Sequence, residues 1–335
     1  MNQYPDYTFY QNYVQPTPPA KPPKARLHIG IIAVAIALVF VLTSVAQIVA
    51  HGIVSVMYPA LVENDWYLWA LSGLPMYLFA MPVAYLIMRL VPASKPQKQK
   101  LNPLMWVGFL CLCFALTYGA NILGQYVSNL LSNLTGIQVE NELQEMTVST
   151  PFFINLLFVG ILAPVFEELF YRKAVIDRLR RYGDLPAILI SGLAFGLVHG
   201  NFNQVFYTVA VGMLLSFIYV RTGSVLYTIS IHAAFNFIGG VYTTELIRRV
   251  GENLTPAEGD TIGWVMMMAY SLFTIVSLIV GVIFFIANIG KFCRSLKKGE
   301  HSLTLDQWMN AIFLNPGVWV FLVMIALLFV SSLLA

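Results

Sequence analysis

The sequence predicts an all-α protein: a polytopic transmembrane helical bundle of about 7–9 spans with its active site inside the membrane. Three observations carry that expectation. Of 335 residues, 58% are apolar and 10% charged, and the mean hydropathy is +0.73, far from the balance of a soluble domain. Apolar runs recur from residue 28 to the end. Within them lie Glu167-Glu168-Leu-Phe-Tyr-Arg172, Phe195-Gly-Leu-Val-His199 and His232-Ala-Ala-Phe-Asn236. Hydrocarbon penalises such groups by several kcal/mol each unless they are paired or face a wet cavity, so the cluster marks a functional site.

Residues 1–26 hold six prolines among Tyr, Gln and Asn and have no periodic apolar face, which predicts a disordered cytoplasmic tail. Lys21, Lys24 and Arg26 then precede an apolar run too long for a signal-peptide core, expected to be a retained first span. Counting that span, nine runs lie at approximately 28–50, 66–91, 102–126, 151–172, 186–200, 204–221, 224–242, 262–288 and 316–335. They divide into N-terminal membrane helices and loops (27–149), a core (150–242) and C-terminal membrane helices (243–335). If all nine cross, Lys21 to Arg26, Lys95 to Lys100, Arg172 to Arg181, Arg221 and Lys291 to Lys298 fall on one side. The positive-inside rule makes that side, and the N-terminus, cytoplasmic. The opposite connections carry Glu63, Asp65, Glu140, Glu142, Glu145, Glu245, Glu252, Glu258 and Asp260, with Arg248 and Arg249 as exceptions.

The net charge of +3 is too small an excess to point to nucleic acid. Cys111, Cys113 and Cys293 have no partner pattern and read as packing residues. The run 186–200 is short for a span of about 20 residues, and its Gly192, Gly196 and Gly200 share a face suited to close helix packing.

Residues four apart share a helix face, so Glu168 and Arg172 can pair, while Glu167 points about 100° away from Glu168. Glu167 thus suits a general base or proton carrier, and Glu168 with Arg172 a structural pair. Pro164 can kink the helix just before them. His199 follows Phe195 by one turn; alone it fits an interhelical packing or hydrogen-bond residue better than a catalyst. His232 and Asn236 offer two polar groups on one face, the geometry of an oxyanion site or of a structural polar pair. The three patterns together favour catalysis, because so many polar groups at membrane depth carry a cumulative cost.

In these motifs the chain resembles the CPBP intramembrane proteases, which include the Ras-converting CAAX prenyl endopeptidases and the bacterial Abi proteins. That family's pattern is Glu-Glu-x-x-x-Arg, Phe-x-x-x-His and His-x-x-x-Asn on successive membrane helices. Glu167, Glu168, Arg172, Phe195, His199, His232 and Asn236 supply every position, over about residues 150–242. Many members have a small residue where this chain has Lys173. The resemblance implies an intramembrane endopeptidase in which Glu167 and His199 activate water and His232 and Asn236 stabilise the oxyanion. Glu168, Arg172 and Phe195 are expected as supporting residues. No cofactor is required outright: zinc or another divalent metal on Glu167, His199 and His232, with Glu168 as base, stays open beside direct action of the carboxylate. The spacing is not His-Glu-x-x-His and carries no independent metal signal.

The expected partners are the lipid bilayer and a membrane-protein or lipidated-peptide substrate, including a CAAX-type prenylated one, in a membrane of bacterial plasma-membrane type. Two other classes fit part of the evidence. A proton-coupled transporter would use the same buried Glu, Arg and His, but no internal repeat is evident. A membrane adaptor would use the Pro-rich tail to hold a tail-binding partner in polyproline II geometry.

Overall fold

A computed structural model of the chain describes residues 24–137, 142–251 and 254–334. Most of the Pro-rich tail, and with it any tail-binding partner, lies outside the described residues, as do Glu140 and Glu252. Among the described residues the fold is a helical membrane bundle without a β-strand. Eight helices are long and apolar enough to cross a bilayer: α1 (Ala25–Met57), α2 (Trp66–Met88), α3 (Pro103–Thr135), α4 (Phe152–Tyr182), α6 (Phe202–Thr222), α7 (Val225–Val250), α8 (Thr261–Arg294) and α9 (Pro316–Leu334). Between α4 and α6 lies the shorter α5 (Asp184–Leu197).

Local chemistry sets the ends. Pro103 opens α3 behind Asn102, whose side chain accepts the Leu104 N–H at 2.9 Å. Asn201 does the same for α6 through Asn203 N at 2.8 Å, and Asp260 caps α8 through Gly263 N at 3.1 Å. Gly223 closes α6 at φ 61°, where a Cβ would also meet Gln97 O at 2.5 Å, so both the turn and the strand of chain crossing it require glycine. The short helix Leu305–Phe313 starts on a Thr304/Gln307 capping box and is an element that hydropathy does not flag.

Hydrogen bonds define two faces. On the first, Ser94 N reaches Asp177 O and Gln99 N reaches Thr222 O. Asp184 accepts from Arg180 Nε at 2.8 Å and from Lys297 N at 2.9 Å, and Arg221 donates to Ser295 O. This face gathers Lys24, Lys95 to Lys100, Arg181, Arg221 and Lys291 to Lys298. On the opposite face Trp69 Nε1 donates to Thr150 at 2.7 Å and Arg248 to Val148 O at 3.1 Å. There Arg249 grips Asp260, holding that carboxyl below the usual carboxylate range. This tie therefore contributes at neutral pH and is lost as pH falls through and below that range.

α5 leaves the basic face at Asp184, while the start of α6 sits beside the far end of α3, where Ser128 donates to Asn203 at 2.9 Å. Thus α5, only about 21 Å long, also traverses the bundle with the help of the turn after it. It can do so because its glycines bring two backbones together. A Cβ on Gly192 would lie 2.7 Å from Met213 N, and one on Gly196 2.6 Å from Val209 N. Because the clash is with backbone, Gly196→Ala is expected to destabilise the fold by about 1–3 kcal/mol, measurable as a lowered midpoint in detergent unfolding.

Two differences from the sequence expectation concern charge and cysteine. The helix carrying Arg172 continues to Tyr182, so Arg178, within the basic segment expected at the cytoplasmic side, is buried, as Arg172 is in its pair with Glu168. Arg178 is satisfied by Met88 O and by Ala174 O, and its guanidinium lies 5.2 Å from the Tyr85 ring centre. Cys111 and Cys113 are packed, but Cys293, at the basic end of α8, is exposed.

The core has two parts. One is built mainly from α1, α2, α4, α5 and α9, the other from α3, α6 and α7 with α8 against them. The polar motifs lie between the two.

Candidate active site

Glu167 sits on a change of backbone register. Leu156–Leu162 is π-helical, Ala163–Glu167 is α-helical, and Glu168–Ile176 is π-helical again. Wider turns of this kind concentrate at functional sites. Pro164 supplies one local cause, since it has no N–H to donate. In π register the carbonyl it would have served belongs to Val159, five residues back, and Asn236 Nδ2 donates to that oxygen at 2.9 Å. Asn236 therefore braces the interrupted helix with one amide hydrogen and keeps the other for the cavity. Asn236→Ala would leave Val159 O unpaired, an expected loss of about 1–3 kcal/mol, whereas Asn236→Gln should recover part of it; unfolding midpoints of the two variants check this.

Beneath Glu167 runs a fully buried polar chain. Arg172 Nε lies 3.0 Å from Glu168 Oε2, both side chains being 0% exposed. The contact is an ion pair by distance without hydrogen-bond alignment. Arg172 Nη1 donates to Ser191 at 3.3 Å, and Ser191 donates to Tyr171 O at 2.9 Å. The Arg172 guanidinium stacks 4.8 Å from the centre of Phe195. Phe195 in turn meets His199 and His232 edge-on, with ring centres 5.0 and 5.8 Å away. Phe195 is thus the surface that orients both imidazoles and the arginine.

Hydrogen bonds assign the histidine tautomers. His199 Nδ1 is 2.7 Å from Phe195 O, and a carbonyl only accepts, so Nδ1 carries the hydrogen and Nε2 the lone pair in the neutral ring. His232 Nδ1 is 3.0 Å from Glu168 Oε1, which as the partner of Arg172 is an acceptor too. Its Nε2 stands 3.9 Å from Glu167 Oε2. The oxyanion role expected of His232 therefore needs a second proton on Nε2, and Glu167 is the acid beside it.

Glu167, Phe195, His199, His232 and Asn236 all line one cavity of about 720 Å³, while Glu168 and Arg172 lie below its floor. Sequence reasoning pointed to a polar turn at Asn203 but missed the rest of the cavity's uncharged polar wall, which includes Asn121, Gln125, Gln204 and Thr208. The only signal for it was the scatter of amides and hydroxyls along otherwise apolar helices. As to metal, among the described residues no three His, Cys, Asp or Glu side chains converge to hold an ion. Glu168 is committed to Arg172 and His232, not poised as the separate base that a Glu167/His199/His232 zinc site would need. The arrangement does not fit that site, and no step below runs through a metal.

Residues 149–238 match the family described as "Type II CAAX prenyl endopeptidase Rce1-like". The chain is also 25% identical over 193 residues, covering 56% of this chain and 77% of the relative, to the Bacillus subtilis (strain 168) protein named "Putative membrane peptidase YdiL". No solved structure matches it. All seven motif positions fall inside the matched segment and gather about one cavity and its floor, so over residues 149–238 the chain is similar to the Rce1-like family, in keeping with a membrane protease.

Proposed function

We propose that the protein is an intramembrane endopeptidase in which Glu167 is the general base. The carrying observation is that Glu167 of α4, His199 in the turn after α5, and His232 and Asn236 of α7 line one cavity between the two halves of the core. Water held by Glu167 and the His199 Nε2 lone pair attacks the peptide carbonyl. Its proton passes to Glu167 as the carbon–oxygen bond forms, and the tetrahedral oxygen takes the negative charge. The free amide hydrogen of Asn236 and a protonated His232 Nε2 stabilise that charge. Glu167 then delivers the proton to the amine as the carbon–nitrogen bond breaks.

Glu168, held by Arg172, accepts from His232 Nδ1 and so orients the ring with Nε2, the position of the second proton, toward Glu167. Phe195 sets both rings at their angles. A prenylated CAAX-type protein is one substrate that the family likeness offers, and an unmodified membrane peptide is another.

The test is cleavage of a membrane-peptide library by purified protein in lipid, with Glu167→Ala and His199→Ala alongside, with and without a strong chelator. Cleavage lost in both variants supports the reading. Loss of wild-type cleavage on chelation, restored by zinc, would overturn the metal-free mechanism. Absence of any cleavage by folded wild-type protein would turn attention to proton-coupled transport.

A further inference from the structure

The side from which the cavity opens separates the substrate classes. Its lining from α2 is Trp69 to Tyr77, from α3 Phe114 to Gln125, and from α4 Phe158 to Glu167. From α6 it is Asn203 to Val211, and from α7 His232 to Ile247. In each helix these residues begin near mid-depth and continue toward the face of Thr150, Arg248 and Asp260. No lining residue comes from the basic face, where the buried Glu168, Arg172 and Ser191 close the floor.

The basic face carries Lys95, Lys98, Lys100, Arg181, Arg221, Lys291, Arg294, Lys297 and Lys298. On the opposite face Arg248 and Arg249 are each paired, with Glu245 and Asp260. Lysine and arginine near span ends are retained on the cytoplasmic side. The mouth therefore faces away from the cytoplasm.

Resting on the peptidase reading, we propose that this active site is entered from the extracytoplasmic side and cuts unprenylated polypeptide there, at a segment that places an apolar side chain beside the scissile bond. The lining fits such a chain. Among the described residues Glu167 is its one carboxylate, and none of them that line it is lysine or arginine. Around the catalytic groups it is aromatic, with Tyr77, Phe114, Phe195 and Phe235. Toward the mouth it becomes amide and hydroxyl, with Asn121, Gln125, Thr243 and Thr244. Aromatic walls take an apolar side chain, and neutral amides and hydroxyls take the hydrogen-bonding groups of an extended backbone. A protein prenylated in the cytoplasm and held on the inner leaflet meets only the closed floor.

Access can be read without any cleavage. Cys293 is an exposed native reporter at the basic end of α8, while Cys111 and Cys113 are buried. Gln125→Cys and Asn121→Cys, each with Cys293→Ser, would be treated with a membrane-impermeant maleimide in intact cells stripped of wall and in inverted vesicles. Wild type reports Cys293. The expected result is labelling of Gln125→Cys, and more slowly of Asn121→Cys, in intact cells, and of Cys293 only in inverted vesicles.

Labelling of the cavity cysteines only in inverted vesicles overturns the proposal. So does their failure to react from either side while reacting after denaturation, which would mean a cavity closed to water. In oriented proteoliposomes, an unmodified apolar peptide added on the mouth side should be cut. Cutting of a prenylated CAAX peptide added on the basic side instead refutes the substrate class. Correct labelling with no cleavage of any peptide by folded protein refutes the peptidase reading and leaves the sidedness standing.

Discussion

Glu167→Gln is expected to lower peptide cleavage by about 10²–10⁴-fold, the range a positioned general base contributes, and to leave the fold intact. Glutamine keeps the length and shape of the side chain but cannot take the water's proton. Among the described residues Glu167 forms no ion pair with an arginine, and the imidazole facing it, at His232 Nε2, is 3.9 Å away, beyond a hydrogen bond. Removing its charge therefore strands no partner. The loss should appear in kcat with KM little changed, because the proton transfer belongs to the transition state. Unfolding curves of variant and wild type should superimpose. Activity within a few-fold of wild type would assign the base elsewhere.

Arg172→Met is expected to have the opposite signature: a loss of stability of about 3–5 kcal/mol, the penalty for breaking a buried pair from one side, with activity falling as a consequence. Arg172 and Glu168 are both fully buried, and the methionine would leave the Glu168 carboxylate without its cation, beside His232 and Thr228. It would also strip Phe195 of its stacked cation. Replacing both partners, as Glu168→Gln with Arg172→Met, removes the stranded charge and should regain a large part of the stability. Unfolding of the two single variants and the double variant measures the coupling. A coupling near zero would show that the two groups do not depend on each other for stability. Arg172→Lys should fall between, since an ammonium keeps the charge but loses both the fork toward Ser191 and the flat face on Phe195.

These two residues illustrate how much of the site could be read in advance. Glu168 with Arg172 follows from residue spacing, and the glycines of α5 from their recurrence every four positions, because each depends on neighbours along one helix. The brace from Asn236 to Val159 O could not be read that way. It requires knowing that the backbone shifts to π register before Pro164, and then that α7 passes beside it. The same holds for the histidine tautomers, which are fixed by a carbonyl in one case and by a carboxylate 64 residues away in the other. How α4 satisfies its polar groups beyond Arg172 was also hidden, since Asp177 accepts from Tyr219 and Arg178 donates to Met88 O, both on other helices.

By itself the sequence determined the helical membrane class, the approximate spans, the segregation of basic residues and the polar positions at depth. All of these follow from the cost of placing each group in hydrocarbon, a property of the residue and its near neighbours. The tertiary structure decided which of those polar groups line the cavity and which seal its floor. It also decided which ring nitrogens remain free and toward which face the cavity opens. Those outcomes depend on contacts between helices far apart in the chain, and transfer energies summed along a sequence contain no term for them.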